Sequence, residues 1–123
     1  GGFEELLSSG YSFVSYPLRV VIRLYPREEK DFPARIAVSV SKRRFKRAVK
    51  RNRVKRLIRE TYRLNKNTLY SYIPEDKTMD ILFIYLHDEI FEYGKIEKAI
   101  TGAIKKIRSY IEKDSGGDIA DTH

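Results

Sequence analysis

The chain has 123 residues, of which 41% are hydrophobic and 12% aromatic, and its formal net charge is +8. This composition is sufficient for one domain with a hydrophobic core, which we predict over residues 1–113, followed by a disordered tail at 114–123. No run approaches the roughly 18 apolar residues of a membrane span, no signal peptide is recognisable, and the lack of cysteine excludes disulfides and thiolate metal sites. We therefore expect a cytoplasmic protein without a membrane partner.

The first predicted elements are a short helix and two strands. Residues 3–9 carry apolar side chains at helical spacing, which predicts the end of a helix. Residues 18–25 alternate between apolar and mixed positions, as expected for a half-buried strand. The alternation returns at residues 35–41 after a short polar turn, so we predict that the two strands pair as a hairpin.

The second half of the chain contains two helices and an interior strand. The basic residues 42–63 are followed by a polar loop and by the unbroken apolar run ILFIYL at 81–86, which is typical of an interior strand. Isoleucine and alanine then recur at intervals of three and four residues from 96 to 111, which predicts a helix packed on the sheet. The predicted order α-β-β-α-β-α indicates a small α/β (α+β) sandwich, in which helices pack on a mixed sheet.

The positive charge is concentrated in one segment, Lys42 to Arg63. It contains 12 of the 25 lysine and arginine residues and one acidic residue, Glu60, so its net charge is +11 over 22 residues. The rest of the chain holds 13 basic and 16 acidic residues and is net −3. A block of this density repels itself unless a polyanion neutralises it, which points to nucleic acid.

A helical projection divides the basic segment into two faces. The face predicted to pack on the sheet carries Val54, Leu57, Ile58, Thr61 and Leu64. The opposite face carries long cations beside the small Ala48, which would let a phosphate backbone approach, and Asn52, which can donate to and accept from a base or ribose.

Two alternatives to RNA binding remain for this helix. A charged helix face is usually only solvated, but a single acid cannot offset the repulsion through salt bridges along the helix. A membrane-surface helix would need a free apolar face, whereas Leu57 and Ile58 are expected in the core.

A second candidate surface lies on one side of the predicted strands. Its side chains include cations, hydroxyls and an aromatic ring, a combination that holds single strands without reading their sequence. The alternative is an ordinary solvated sheet face. The residues concerned are Arg19, Val21, Arg23, Tyr25, Arg35, Ser39 and Ser41.

The sequence S-V-S-K at 39–42 and A-V-K-R-N-R-V-K-R-L-I-R-E at 48–60 resembles the signature of the bacterial ribonuclease P protein subunit, including its RNR motif. The similarity is ungapped over the motif and extends in element order across nearly the whole chain before the tail. The resemblance implies a ribosomal-protein-like fold in which the RNR helix joins two parallel strands by a left-handed crossover, against the usual hand.

The resemblance also implies a function. In this family a catalytic RNA removes the 5′ leader of precursor tRNA, and the protein binds that RNA and the leader. The protein would be an enzyme component without catalytic side chains or a metal site of its own. Mg²⁺ would be bound mainly by the RNA, and one protein monomer would serve each RNA. The partners implied are ribonuclease P RNA and precursor tRNA.

Site residues are carried over position by position from this resemblance. The expected contacts to the RNA subunit are Lys42, Arg43, Arg44, Lys46, Arg47, Lys50, Arg53, Lys55, Arg56, Arg59 and Arg63. The expected leader contacts are Phe3, Leu7, Val21, Ser39, Ser41, Arg51 and Asn52. Leu7 and Val21 stand where the family often has Phe and Tyr, which predicts weaker base stacking.

Two other functions remain open on the residues alone. One is a generic RNA-binding or ribosomal-type module without a role in tRNA processing. The other is a protein-only nuclease that would use Asp80, His87 and Glu89 around the last strand. A lone histidine at a strand end is a weak metal signal.

Overall fold

Four strands and two long helices make up the described part of the chain. The computed structural model describes the backbone of residues 10–121 and the side chains of residues 10–113. The elements are β1 (Tyr11–Ser15), β2 (Leu18–Pro26), β3 (Ala34–Ser39), α1 (Ala48–Tyr70), β4 (Lys77–Tyr85) and α2 (Tyr93–Asp121). The predicted sandwich of helices on a mixed sheet is confirmed, and the observed order is β-β-β-α-β-α. The helix predicted at residues 3–9 lies outside the described residues.

The strand β1 was not predicted. It runs antiparallel to β2, from which it is separated only by a turn at Tyr16 and Pro17 with a cis peptide bond. The segment YSFVS does not alternate cleanly between apolar and polar residues, because Val14 is exposed, and five residues at a sheet edge give a weak pattern.

The predicted pairing of the second and third strands is wrong. The sheet order is β1-β2-β4-β3, so β4 lies between β2 and β3. It pairs antiparallel with β2 and parallel with β3. The unbroken apolar run of β4 has its physical reason here, because a central strand has a neighbouring strand on each side, and seven of the nine residues of β4 are buried.

The main core lies between the sheet and the two helices. Leu18, Val20 and Ile22 of β2 are fully buried on this face, beside Ile81 and Phe83 of β4. Helix α1 packs against α2 and contacts β3, while α2 contacts β1. The basic helix is therefore held over the β3 side of the sheet, and α2 covers the β1 side.

The opposite sheet face is less polar than predicted. Val21 is only 1% exposed and forms a small apolar cluster with Leu82, against which Ala37 and Ile84 pack. Alternation placed Val21 on the correct face, but its predicted exposure there is wrong.

Two expectations about the fold remain predictions. Helix α1 does connect the parallel strands β3 and β4, but the left-handed crossover stays an implication of the resemblance. The backbone of α2 continues to Asp121, and the side chains from residue 114 onwards, where the tail was predicted, lie outside the described part. None of the helices in the described part is both long and apolar enough to cross a bilayer.

Candidate nucleic-acid interface

Helix α1 buries one side and leaves its cations on the other. Its buried residues are Val54, Ile58, Thr61, Tyr62 and Leu69. Compared with the prediction, the buried face is rotated towards Tyr62 and Leu69, because the Tyr62 ring packs beside Phe83 at 6.1 Å between centroids. Leu57 is consequently half-buried, and the expected burial of Leu64 is wrong, since it is 58% exposed.

The cations of the basic segment are accessible. Lys55 and Arg51 are half-buried, and the other members are exposed: Lys42, Arg43, Arg44, Lys46, Arg47, Lys50, Arg53, Arg56, Arg59 and Arg63. Across the described side chains, only two of the twelve form an ion pair with a carboxylate. The structure therefore neither buries this charge in the core nor neutralises it internally.

The two ion pairs lie at different places in the segment. Arg44 Nη1 is 2.9 Å from Asp88 Oδ1, which links the loop before α1 to the loop after β4. Arg63 and Glu60 pair one turn apart on the helix, and the hydrogen bond from Arg63 lowers the pKa of Glu60 from its ordinary value. Glu60 is therefore ionised at neutral pH and offsets one cation near the middle of α1.

At the start of α1, no acidic residue offsets the positive end of the helix dipole. Arg47 is the N-cap residue, it makes no side-chain capping hydrogen bond, and no acid occupies the first turn. Unsatisfied N–H groups and the positive end of the dipole therefore add to the surrounding cationic charge. This end of the helix is suited to bind an anion, as phosphate sites at helix N-termini are.

Two residues fix the basic loop that precedes α1. Arg51 Nη1 donates to the carbonyl oxygens of Phe45 at 2.8 Å and Lys46 at 3.0 Å. Phe45 is 4% exposed and packs near Tyr85. Sequence reasoning missed this anchoring role of Phe45, although a single aromatic residue within a cationic run is a usable signal.

A shallow groove runs along the exposed side of α1. It has a volume of about 400 Å³ and is lined by Asn52, Lys55, Arg56, Arg59, Glu60 and Arg63. Four cations surround one carboxylate, and the Asn52 amide lies beside them. The groove can accept a phosphodiester backbone through charge-assisted hydrogen bonds, with Asn52 available to a ribose or base.

The second candidate surface is the sheet face opposite the helices. Ser39 and Ser41 are exposed, whereas Val21 is buried and provides packing there. Arg35 donates from Nε and Nη2 to the two carboxylate oxygens of Asp80, at 2.9 and 3.2 Å. Sequence reasoning missed this pair, because Arg35 and Asp80 become neighbours only through the parallel pairing of β3 and β4. Phe3 and Leu7 lie outside the described residues.

The residues of the imagined protein-only nuclease do not come together. Asp80 lies within β4 and pairs with Arg35, and His87 is seven positions after Asp80, roughly 23 Å along an extended chain. The His87 ring stacks on Phe91 at 4.1 Å, and its Nδ1 lies 3.0 Å from the Tyr16 hydroxyl. Within the described residues no three acidic, histidine or cysteine side chains form a metal-binding group.

Comparison with known proteins bears directly on this interface. The family model described as Ribonuclease P matches residues 2–108, which include all of the basic segment. The chain belongs to the ribonuclease P protein family. The ribonuclease P protein component of Porphyromonas gingivalis is 43% identical over 105 residues, covering 85% of this chain and 76% of that protein. That of Chlorobaculum tepidum is 41% identical over 63 residues, covering 51% of this chain and 38% of that one.

Solved ribonuclease P proteins share the fold. The protein from Thermotoga maritima superposes with a TM-score of 0.65 at 23% identity, over 85% of this chain and 90% of that one. The Staphylococcus aureus protein gives a TM-score of 0.64 at 24% identity, over 85% and 87% of the two chains. The predicted resemblance to the ribonuclease P protein family is therefore confirmed, both in sequence and in fold.

Proposed function

We propose that this protein binds the catalytic RNA of ribonuclease P and the 5′ leader of precursor tRNA, and so assists removal of the leader. The observation that carries the proposal is the exposed, almost unpaired cationic side of α1 in a member of this family. Phosphate contacts from such a side give affinity and fix orientation without reading sequence. The RNA would supply the Mg²⁺-dependent chemistry, and the protein would contribute binding and positioning.

The roles of the two surfaces follow from their chemistry. The groove along α1 takes the folded RNA subunit, with Arg53, Lys55, Arg56 and Arg59 at the phosphates. The leader, a single strand, lies across the sheet face near Ser39 and Ser41 and reaches Asn52 at the start of α1. In this arrangement Arg51 acts mainly by holding the basic loop, since its guanidinium already binds two carbonyl groups. One protein monomer per RNA, working in the cytoplasm, completes the proposal.

The decisive experiment is reconstitution with a bacterial ribonuclease P RNA at a Mg²⁺ concentration too low for the RNA alone. We expect the protein to restore cleavage of precursor tRNA, and Arg56→Ala/Arg59→Ala to restore much less. The control variant Lys98→Ala removes one exposed cation from α2 and should behave as the unaltered protein.

Three results would contradict the proposal in different ways. Absence of rescue, with RNA binding retained, would favour the generic RNA-binding module. Cleavage by the pure protein with Mg²⁺ and no added RNA would favour a protein-only nuclease. Full rescue by the double variant would show that the groove on α1 is not the surface that matters.

A further inference from the structure

A further cationic and aromatic surface lies at the sheet edge remote from β3. It is a concavity of about 750 Å³ between β1 and the later turns of α2, and its lining includes Tyr11, Phe13, Lys105, Lys106, Tyr110 and Lys113. Since β1 and β3 are opposite edges of the sheet, this patch is separate from the basic segment that follows β3. We propose that the β1–α2 patch binds a short single-stranded segment of RNA by base stacking on Tyr11 and phosphate contacts with its lysines.

The rings of the patch form a platform on which a base can stack. Tyr11 and Tyr110 are stacked with centroids 4.6 Å apart and planes inclined by 19°. Phe13 lies 6.0 Å from Tyr11 in a tilted arrangement. Tyr11 is nevertheless 48% exposed, so part of an already ordered ring faces solvent. Preordered aromatic rings of this kind bind unpaired bases of any sequence.

The charges of the patch have one sign. Three lysines line it, and no carboxylate of the described side chains does. Lys105 and Lys113 are separated by two turns of α2, roughly 12 Å, which spans a short stretch of an RNA strand. The nearby carboxylate of Glu112 is engaged by Arg108, whose Nε lies 2.8 Å from it. The patch is therefore complementary to phosphate rather than self-neutralised.

The patch is held rigidly by contacts between α2 and β1. Ser15 Oγ donates to the carbonyl of Ala99 at 2.7 Å, and Lys106 donates to the carbonyl of Val14 while its ammonium group lies 5.8 Å from the Phe13 ring. At Gly102 a Cβ would come within 3.0 Å of Ser15 Oγ, so the glycine allows this close approach. Because the scaffold is preformed, a ligand need not order it on binding.

The chemistry favours RNA over an acidic peptide. Lysine ammonium groups attract either polyanion, but stacked tyrosine rings with an exposed face gain most from a planar base. The proposal extends the proposed function by adding a third RNA surface to the groove on α1 and the sheet face, and it rests on that function only for the identity of the RNA met in the cell. Its physical test needs no ribonuclease P RNA.

The chain contains no tryptophan, so Tyr11→Trp introduces a single fluorescent reporter into the platform. Titration of this variant with a ten-nucleotide oligouridine should quench its fluorescence saturably. Adding Lys105→Glu/Lys113→Glu to this variant should raise the oligouridine concentration at half-maximal quenching by at least about fivefold, because two phosphate contacts are lost. Phe32→Trp, at a 70% exposed position in the loop between β2 and β3, is the matched control and should not be quenched saturably. An unquenched Tyr11→Trp, or equal binding of polyglutamate, would overturn the proposal.

Photo-crosslinking of the unaltered protein to oligouridine containing 4-thiouridine gives a second readout that needs no variant. We expect cross-linked peptides containing Tyr11 or Tyr110 in addition to those from residues 42–63, and cross-links confined to the basic segment would refute the patch. The two proposals can fail separately. Cross-links to Tyr11 or Tyr110 without rescue of cleavage would support the patch and contradict the proposed function. Rescue of cleavage without these cross-links would support the proposed function and contradict the patch.

Discussion

Tyr62 shows how a single side chain serves both the packing and the orientation of the basic helix. Its ring packs on Phe83, and this contact turns the cationic side of α1 to solvent. Its hydroxyl is buried and makes no hydrogen bond of normal geometry among the described residues, although Tyr70 is nearby. Burial, with a smaller contribution from Tyr70, raises the pKa of Tyr62 well above its usual range.

Removal of that hydroxyl should not destabilise the fold at neutral pH. We expect Tyr62→Phe to raise the free energy of unfolding by about 1 kcal/mol, because a buried polar group without a partner is costly. In the unaltered protein the unfolded chain ionises first as pH rises above about 10, so stability falls there. Since phenylalanine cannot ionise, the advantage of the variant should widen above this pH. Urea unfolding of both proteins between pH 7 and 11 measures both effects. If the difference in the free energy of unfolding stayed constant over this pH range, the expected widening would be contradicted.

Val21 and Leu64 are two residues whose burial could not be predicted from the sequence. Strand alternation placed Val21 on the correct face, but its burial depends on Leu82, a neighbour supplied by a strand sixty positions later. Helical spacing placed Leu64 beside the buried residues, but the core extends towards Tyr62 instead. Periodicity identifies a side of an element, whereas burial depends on what the rest of the chain brings against it.

At the scale of elements, the start of α1 lacks both a capping side chain and an acidic residue in its first turn. An arginine occupies the N-cap position, where serine, threonine or aspartate would satisfy the free N–H groups. Cations near this end also oppose the helix dipole. The arrangement costs stability in the free protein, and an anion bound at the same place would offset that cost.

We expect Arg47→Ser to separate these two properties. The capping hydroxyl should raise the free energy of unfolding by about 1 kcal/mol, while loss of the cation should weaken RNA binding. Urea unfolding and RNA titration of the same preparation measure the two effects. Arg108→Ser, which removes an exposed cation within α2, serves as the control and should not increase stability. A variant that gained stability and kept full affinity would show that Arg47 is not at the RNA surface.

Most elements could be predicted from local patterns, but their arrangement could not. The strands β2 and β4, the basic helix and α2 each carry a periodicity that local sequence displays. The edge strand β1 is too short to stand out, and the insertion of β4 between β2 and β3 is a nonlocal property. The candidate site was largely predictable because its cations are contiguous in sequence, in α1 and the loop before it, whereas the Arg35–Asp80 pair and the β1–α2 patch depend on tertiary neighbours.

For the whole molecule, the division of charge governs association. The basic segment is net +11 and the remainder is net −3, so we expect an approaching polyanion such as RNA to be steered to the basic side. Binding that neutralises about six phosphates should give a logarithmic salt slope of about −4 for single-stranded RNA.

Arg56→Ala/Arg59→Ala should reduce the steepness of that slope by about 1.4, because two phosphate contacts are removed. Lys30→Ala/Lys98→Ala removes the same charge from outside the basic segment and should change the slope much less. Fluorescence anisotropy of labelled single-stranded RNA, titrated with each protein across a salt series, measures the slope for all three proteins. An unchanged slope in the first variant would place the phosphate contacts elsewhere.

The central position of β4 also has a consequence for synthesis of the chain. When translation has passed β2, that strand can already pair with β1, but β3 still lacks its only neighbour in the described sheet. Residues 77–85 supply that neighbour after the whole of α1 has been made. In a nascent polypeptide halted before residue 77, the basic segment would therefore lack the β4 strand and the α2 helix on which the fold depends. Its dense positive charge would be exposed close to the RNA of the ribosome.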